Sequence, residues 1–286
     1  MDISSIMKKV KLVEIKTRRD VDNLFAGGFH SRFKGQGLDF SEVREYVVGD
    51  DVKSIDWKVS ARTNDLYIKK YHEERELNIV LAVDVSQSQF FGSNSSKKDL
   101  LAELVSLLGF SAVKDGNRVG LLTFGDKIES YIEPQKGKNH VMALTSKIFA
   151  QGKSGSVDFE LAIKHLRNVL KRRAIIIFIS DYLFEIDEEL IKKSTILSKK
   201  HDILAIQLVD EREVSIPKSG FVKFRDIENG ESFWVNTNSK KFIKAFTEKN
   251  EQREIALADY FKKTGIKNTK IKTGEDYINN LLKLFR

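Results

Sequence analysis

The chain has 286 residues, 41% of them hydrophobic, a formal net charge of +8 and no cysteine. That length supports one large α/β domain with a smaller appendage, or two modest domains. The missing cysteines exclude disulfides, thiolate metal sites and a cysteine nucleophile, and fit a reducing, cytoplasmic setting.

No apolar run approaches the ~18 residues of a membrane span, and Met1 to Val10 lacks the apolar core of a secretory signal. The positive charge is spread over Lys171-Arg172-Arg173, Lys192-Lys193, Lys199-Lys200, Lys240-Lys241 and Lys262-Lys263. Such pairs read as solvated helix faces rather than as a nucleic-acid-binding stripe.

In chain order, residues 4–24 carry a partial helical stripe of Ile6, Val10, Val13 and Val21. Residues 25–76 are rich in glycine and alternating charge, with a strand-like piece at Leu66 to Tyr71. Here the opposed charges suggest turns locked by ion pairs, with Trp57 as the apolar anchor. From residue 77 strands and helices alternate: strand Leu77 to Val83, helix Lys97 to Lys114, strand Val119 to Phe124, and an edge strand at Lys127 to Ile132. Helices at Val141 to Phe149 and Phe159 to Leu170 lead to strand Ala174 to Ile179, helix Glu188 to Lys199 and strand Ile203 to Val209. A hairpin turning at Asn229-Gly230 follows, then a long helix from Lys240 to Lys263, a strand at Thr269 to Ile271 and a closing helix at Tyr277 to Phe285. This alternation implies a mostly parallel sheet with helices on both faces, in an α/β domain over 77–286 preceded by a small N-terminal segment over 1–76.

The chemistry concentrates where strands end. Asp84-Val85-Ser86-Gln87-Ser88 follows a strand apolar enough to be buried on both faces. Three oxygen side chains at alternate positions suit a hard cation such as Mg²⁺; the same residues also read as an acidic strand end with a capping loop. Asp181 ends a second strand, and shares the crevice with Asp84, Ser86 and Ser88 if the two strands are neighbours. Otherwise it is a turn residue. Ser156 and Asp158, before the Phe159 helix, are candidates for a third donor or for the helix N-cap.

Together, D-x-S-x-S after a buried strand, a hydroxyl loop before a helix and an Asp ending a later strand resemble the von Willebrand A domain. The resemblance implies a metal-ion-dependent adhesion site. Ser86 and Ser88 would bind Mg²⁺ (or Mn²⁺ or Ca²⁺) directly, with Asp84 and Asp181 acting directly or through water. It also places Val157 where a threonine donor is expected, with Ser156 or water as the substitute.

A second resemblance covers nearly the whole chain. Gly35-Gln36-Gly37-Leu38-Asp39-Phe40, Arg44-Glu45-Tyr46, Gly49-Asp50-Asp51, Ile55-Asp56-Trp57, Ser60-Ala61-Arg62 and Glu73-Glu74-Arg75 stand in fixed order before the D-x-S-x-S strand. This pattern is similar to the bacterial family called domain of unknown function 58. It implies a non-catalytic adaptor that works with a MoxR-type AAA+ ATPase in assembly or stress response, through a partner carboxylate docked on the metal.

Two other functions fit the sequence less well. Metal-dependent phosphoester hydrolysis at Asp84 and Asp181 needs more converging carboxylates than the sequence offers. Nucleic-acid binding driven by the net charge lacks any recognised module. Gly152-Lys153-Ser154 fails as a phosphate loop, because the first glycine would fall at Lys147. The scattered His30, His72, His140, His165 and His201 read as surface or capping residues.

Overall fold

A computed structural model describes residues 39–63, 65–72, 76–90, 97–152, 154–215, 217, 219–225 and 232–285. The helix expected over 4–24, the motif at Gly35 to Leu38, the run Glu73-Glu74-Arg75 and the Asn229-Gly230 turn lie outside these residues.

The first described unit is a ribbon. Strands β1 (Asp39–Glu45) and β2 (Tyr67–His72) pair antiparallel with an irregularity between Phe40 and Glu42. Between them runs the short helix α1 (Trp57–Thr63), whose free N–H groups at Lys58 and Val59 are met by the Asp56 carboxylate at 3.0 and 3.3 Å. Arg44 forms a two-pronged pair with Asp50 at 2.9 and 2.7 Å, the turn-locking ion pair that the charge pattern suggests. The apolar anchor is different from the one expected. Trp57 is 65% exposed, whereas Ile55 and Ile68 are buried and bridge each other across the ribbon. Trp57 is the first residue of its helix, so the turn that buries Ile55 leaves the indole outside.

The main sheet has six strands: β3 (Asn78–Asp84), β4 (Arg118–Phe124), β5 (Ile128–Gln135), β6 (Ile175–Ser180), β7 (Asp202–Val209) and β10 (Lys267–Lys272). Their spatial order is β10-β7-β6-β3-β4-β5, all parallel except the edge strand β5. A two-stranded ribbon, β8 (Phe221–Arg225) and β9 (Ser232–Asn236), is inserted after β7. The helices are α2 (Lys97–Lys114), α3 (Lys138–Ala150), α4 (Phe159–Val169), α5 (Glu188–Lys200), α6 (Glu211–Val214), α7 (Lys240–Thr264) and α8 (Ile278–Phe285).

Alternation within each strand divides the apolar side chains between two cores. Ile79, Leu81 and Val83 face α2, α3 and α8, with Leu104, Leu108, Leu144 and Leu281 among the contacts. Val80 and Ala82 face α4, α5 and α7, where Phe159, Leu166, Leu190 and Phe261 pack. Both faces are therefore covered, which is why the central strands read as unbroken apolar runs. This is the doubly wound, mostly parallel architecture that the von Willebrand A resemblance implies.

The chain leaves β3 toward β4 and β5, then returns to β6 on the other side of β3. The helix after β3 and the helix after β6 consequently lie on opposite faces. Between the carboxyl ends of β3 and β6 lies the crevice that such a reversal opens.

Candidate functional site

Asp84 is the last residue of β3 and has no exposed surface. One of its oxygens accepts the backbone N–H of Ser86 at 2.8 Å. The other accepts the Ser180 hydroxyl at 2.7 Å and the Gln89 amide at 3.3 Å. All three donors are neutral. Burial, and next to it the negative charge of Asp181, push the Asp84 pKa up to about 6.

The hydroxyls of Ser86 and Ser88 are hydrogen-bonded to each other at 3.0 Å. Ser86 is buried and Ser88 half-buried, so the pair lies between the buried carboxylate and the surface.

Asp181 follows β6 directly and is brought to the same edge. Ser180, its neighbour, supplies the hydroxyl that binds Asp84. The backbone turns sharply here. Tyr182 has φ 56°, in the left-handed region that costs a non-glycine residue of order 1 kcal/mol or more. Its ring is held in the core against Phe159, Phe184 and Phe261, which keeps that turn in place. Asp181 itself is not open for a ligand. One oxygen accepts the N–H of Leu183 at 3.2 Å and the other meets the ammonium of Lys97 at 3.0 Å.

Lys97 is the first residue of α2 and is fully buried. Its ammonium also pairs with Glu213 of α6. Burial works against this charge, but Asp181 and Glu213 outweigh it and hold the pKa above the ordinary lysine value. Burial lifts Glu213 above the ordinary glutamate range, against the pull of Lys97. The second oxygen of Glu213 accepts the backbone N–H of Asp210 at 3.0 Å, and Asp210 caps α6 in return.

The third loop is pressed against the first. The N–H of Ser154 donates to the Val85 carbonyl at 3.2 Å, and that of Gln87 to the Gly155 carbonyl at 3.3 Å. The same loop also lies against the turn after β4, where a Cβ at Gly125 would fall 2.2 Å from the Ser154 hydroxyl oxygen. Ser154 is bound to Asp126 and Glu129 at 2.7 and 3.0 Å. Ser156 is exposed, and Asp158 is the N-cap of α4, accepting from Leu161 at 2.9 Å. Val157 packs against the core on the α4 face and carries no donor.

The structure thus brings Asp84, Ser86, Ser88 and Asp181 to one edge, with Ser156 in the adjoining loop. Sequence reasoning missed Lys97, Glu213, Ser180 and Gln89. One signal for Lys97 was present: a cation in the first turn of a helix opposes the macrodipole, so its place there calls for another partner.

The residues fit a small divalent ion in one respect that can be measured. Adjacent oxygens of an octahedral shell with metal–oxygen distances of roughly 2.0–2.1 Å lie about 3 Å apart, which is the separation of the two serine hydroxyls. Asp84, with neutral partners only, lacks the positive charge that such an ion supplies. Among the described residues no three His, Cys, Asp or Glu side chains cluster to hold a metal. A cation here would therefore rest on hydroxyls, one carboxylate and water.

Comparison with known proteins gives the lineage. The model of the family described as "Protein of unknown function DUF58" matches residues 42–256. "Uncharacterized protein Rv1480" of Mycobacterium tuberculosis is 30% identical over 234 residues, covering 80% of this chain and 73% of its own. "Uncharacterized protein YeaD" of Bacillus subtilis is 27% identical over 159 residues, 49% of this chain and 37% of its own. Among solved structures, BatB from Bacteroides thetaiotaomicron has a TM-score of 0.49 at 13% identity, covering 73% of this chain and 96% of that one. The SpRpn10 VWA domain has a TM-score of 0.46 at 14% identity, covering 73% and 94%. The family model spans well over half of the sequence, and the chain belongs to the DUF58 family.

Proposed function

We propose that this chain is a non-catalytic protein-interaction module, using the edge formed by Asp84, Ser86 and Ser88 to hold Mg²⁺ and dock a carboxylate of a MoxR-type AAA+ ATPase in the cytoplasm. The observation that carries the reading is the pair of serine hydroxyls 3.0 Å apart in front of a buried carboxylate with neutral partners. When bound, the ion supplies a coordination position for an outside acid. The protein's share is positioning. The Ser86 N–H fixes one Asp84 oxygen, while Ser180 and Gln89 fix the other. The 154–156 loop braces the D-x-S-x-S loop from the side through backbone bonds. Among the described residues no helix is long and apolar enough to cross a membrane.

The test uses immobilised full-length chain and a purified MoxR-type ATPase, with Mg²⁺ or with EDTA. Binding is expected with Mg²⁺ only, and Ser86→Ala should weaken it by at least about tenfold, the lower end for losing a group that tunes a metal site. Circular dichroism should show the variant folded. Equal binding by the wild type and a folded Ser86→Ala variant would remove the reading.

A further inference from the structure

Lys97 is not used by the function proposed above. It is a fully buried ammonium in contact with the edge where a divalent ion would sit. It begins α2, where the helix dipole disfavours a cation, so the helix does not account for it. Its two carboxylates do. They come from separate elements, Asp181 from the end of β6 and Glu213 from α6, and each has its remaining oxygen satisfied by a backbone N–H. The three side chains form a closed unit with one positive and two negative charges.

We infer that Lys97 is the resident cation of this crevice: its ammonium takes Asp181 out of the ligand set of a divalent ion and ties α6 to the sheet edge through Glu213. The inference rests on reading Ser86 and Ser88 as cation donors. It alters that reading in one way. The von Willebrand A resemblance counts Asp181 among the residues that serve the metal, whereas here its charge is already met by a tethered amine. A divalent ion would be left with Ser86, Ser88, Asp84 and water. Weaker, exchangeable binding follows, since fewer carboxylates face the ion and a fixed positive charge stands nearby.

The experiment compares Mn²⁺ binding, by electron paramagnetic resonance of the free ion, in wild type, Lys97→Met and the double variant Lys97→Met/Asp181→Asn. Thermal melts are run with Mn²⁺ and with EDTA. Lys97→Met should melt lower in EDTA, because the buried Asp181 and the half-buried Glu213 lose their counterion. It should bind Mn²⁺ about tenfold tighter or more, as the freed charge of Asp181 acts on the ion at short range. Mn²⁺ should raise its melting temperature more than that of the wild type, and the double variant should lose the gain. A purely structural lysine would lower the melting temperature and leave Mn²⁺ affinity unchanged.

Should Lys97→Met not fold, Lys97→Gln keeps a hydrogen-bond donor and removes the charge, and the same gain is expected. Mn²⁺ bound equally by wild type and variant overturns the inference and leaves the proposed function standing. Binding by the variant alone refutes the proposed metal site of the wild type and supports the inference. Binding by neither overturns both.

Discussion

His201 shows how much a single position depends on its surroundings. It ends α5, as a capping residue should, yet only 1% of its surface is exposed. Its Nδ1 accepts the backbone N–H of Ala174 at 3.2 Å, which assigns the proton of the neutral ring to Nε2. Burial first, and then the positive Lys200, push the ring's pKa down to about 4. An unfolded histidine titrates near 6.5. Between these values the unfolded chain binds a proton that the folded chain refuses, so stability is present above pH ~6.5 and falls as the pH drops toward ~4, by at most about 3 kcal/mol. Asp84, held up at about 6, acts with the opposite sign between pH ~4 and ~6, so the His201 contribution is read as a difference. Urea melts of wild type and His201→Gln across that range should diverge as the pH falls, and identical slopes would place the titration elsewhere. The sequence offered a surface or a capping role for this histidine; the structure makes it the C-cap and not a surface residue. Its burial was not legible, because that depends on the strand ends packed over it.

Elements were read more securely than residues. Helix α2 was expected over Lys97 to Lys114 and occupies those residues, since its apolar positions recur at helical spacing. Helix α3 begins three residues before the expected Val141, within the polar stretch Lys138 to His140 where periodicity has nothing to register. Strand β1 and helix α1 were missed. Their apolar residues are few, and the ribbon is held by ion pairs and backbone bonds instead. Helix α6 was missed as well, being only four residues long. It exists because Asp210 caps it while also accepting the Thr273 hydroxyl at 2.9 Å. Asp210→Ala should therefore cost about 0.5–2 kcal/mol, the usual range for a lost helix cap. A urea midpoint shift with unchanged slope is the expected result. No shift would mean that the Glu213–Lys97 pair and the Asn250 amide on the Glu213 carbonyl hold α6 without the cap.

At the scale of the whole molecule, α8 closes one face of the sheet with Leu281, Leu284 and Phe285 buried against β-strand residues such as Ile206 and Ile271. Leu281→Ala should cost about 2–5 kcal/mol as a core truncation, read as a lower thermal midpoint, whereas a shift under about 1 kcal/mol would show that this helix is not part of the cooperative core. The sequence by itself determined the fold class and the candidate oxygens. Apolar runs, helical spacing and strand-end carboxylates are local patterns, and each survives being read along the chain. Only the tertiary structure decided which strands adjoin, and so which charges meet. That β6 returns beside β3 depends on how both sheet faces are covered, and it sets Asp181 next to Asp84. Lys97 and Glu213 lie 116 positions apart in the chain. Their pairing follows from packing in three dimensions, where a buried charge must find its opposite, and no local pattern along the chain records it.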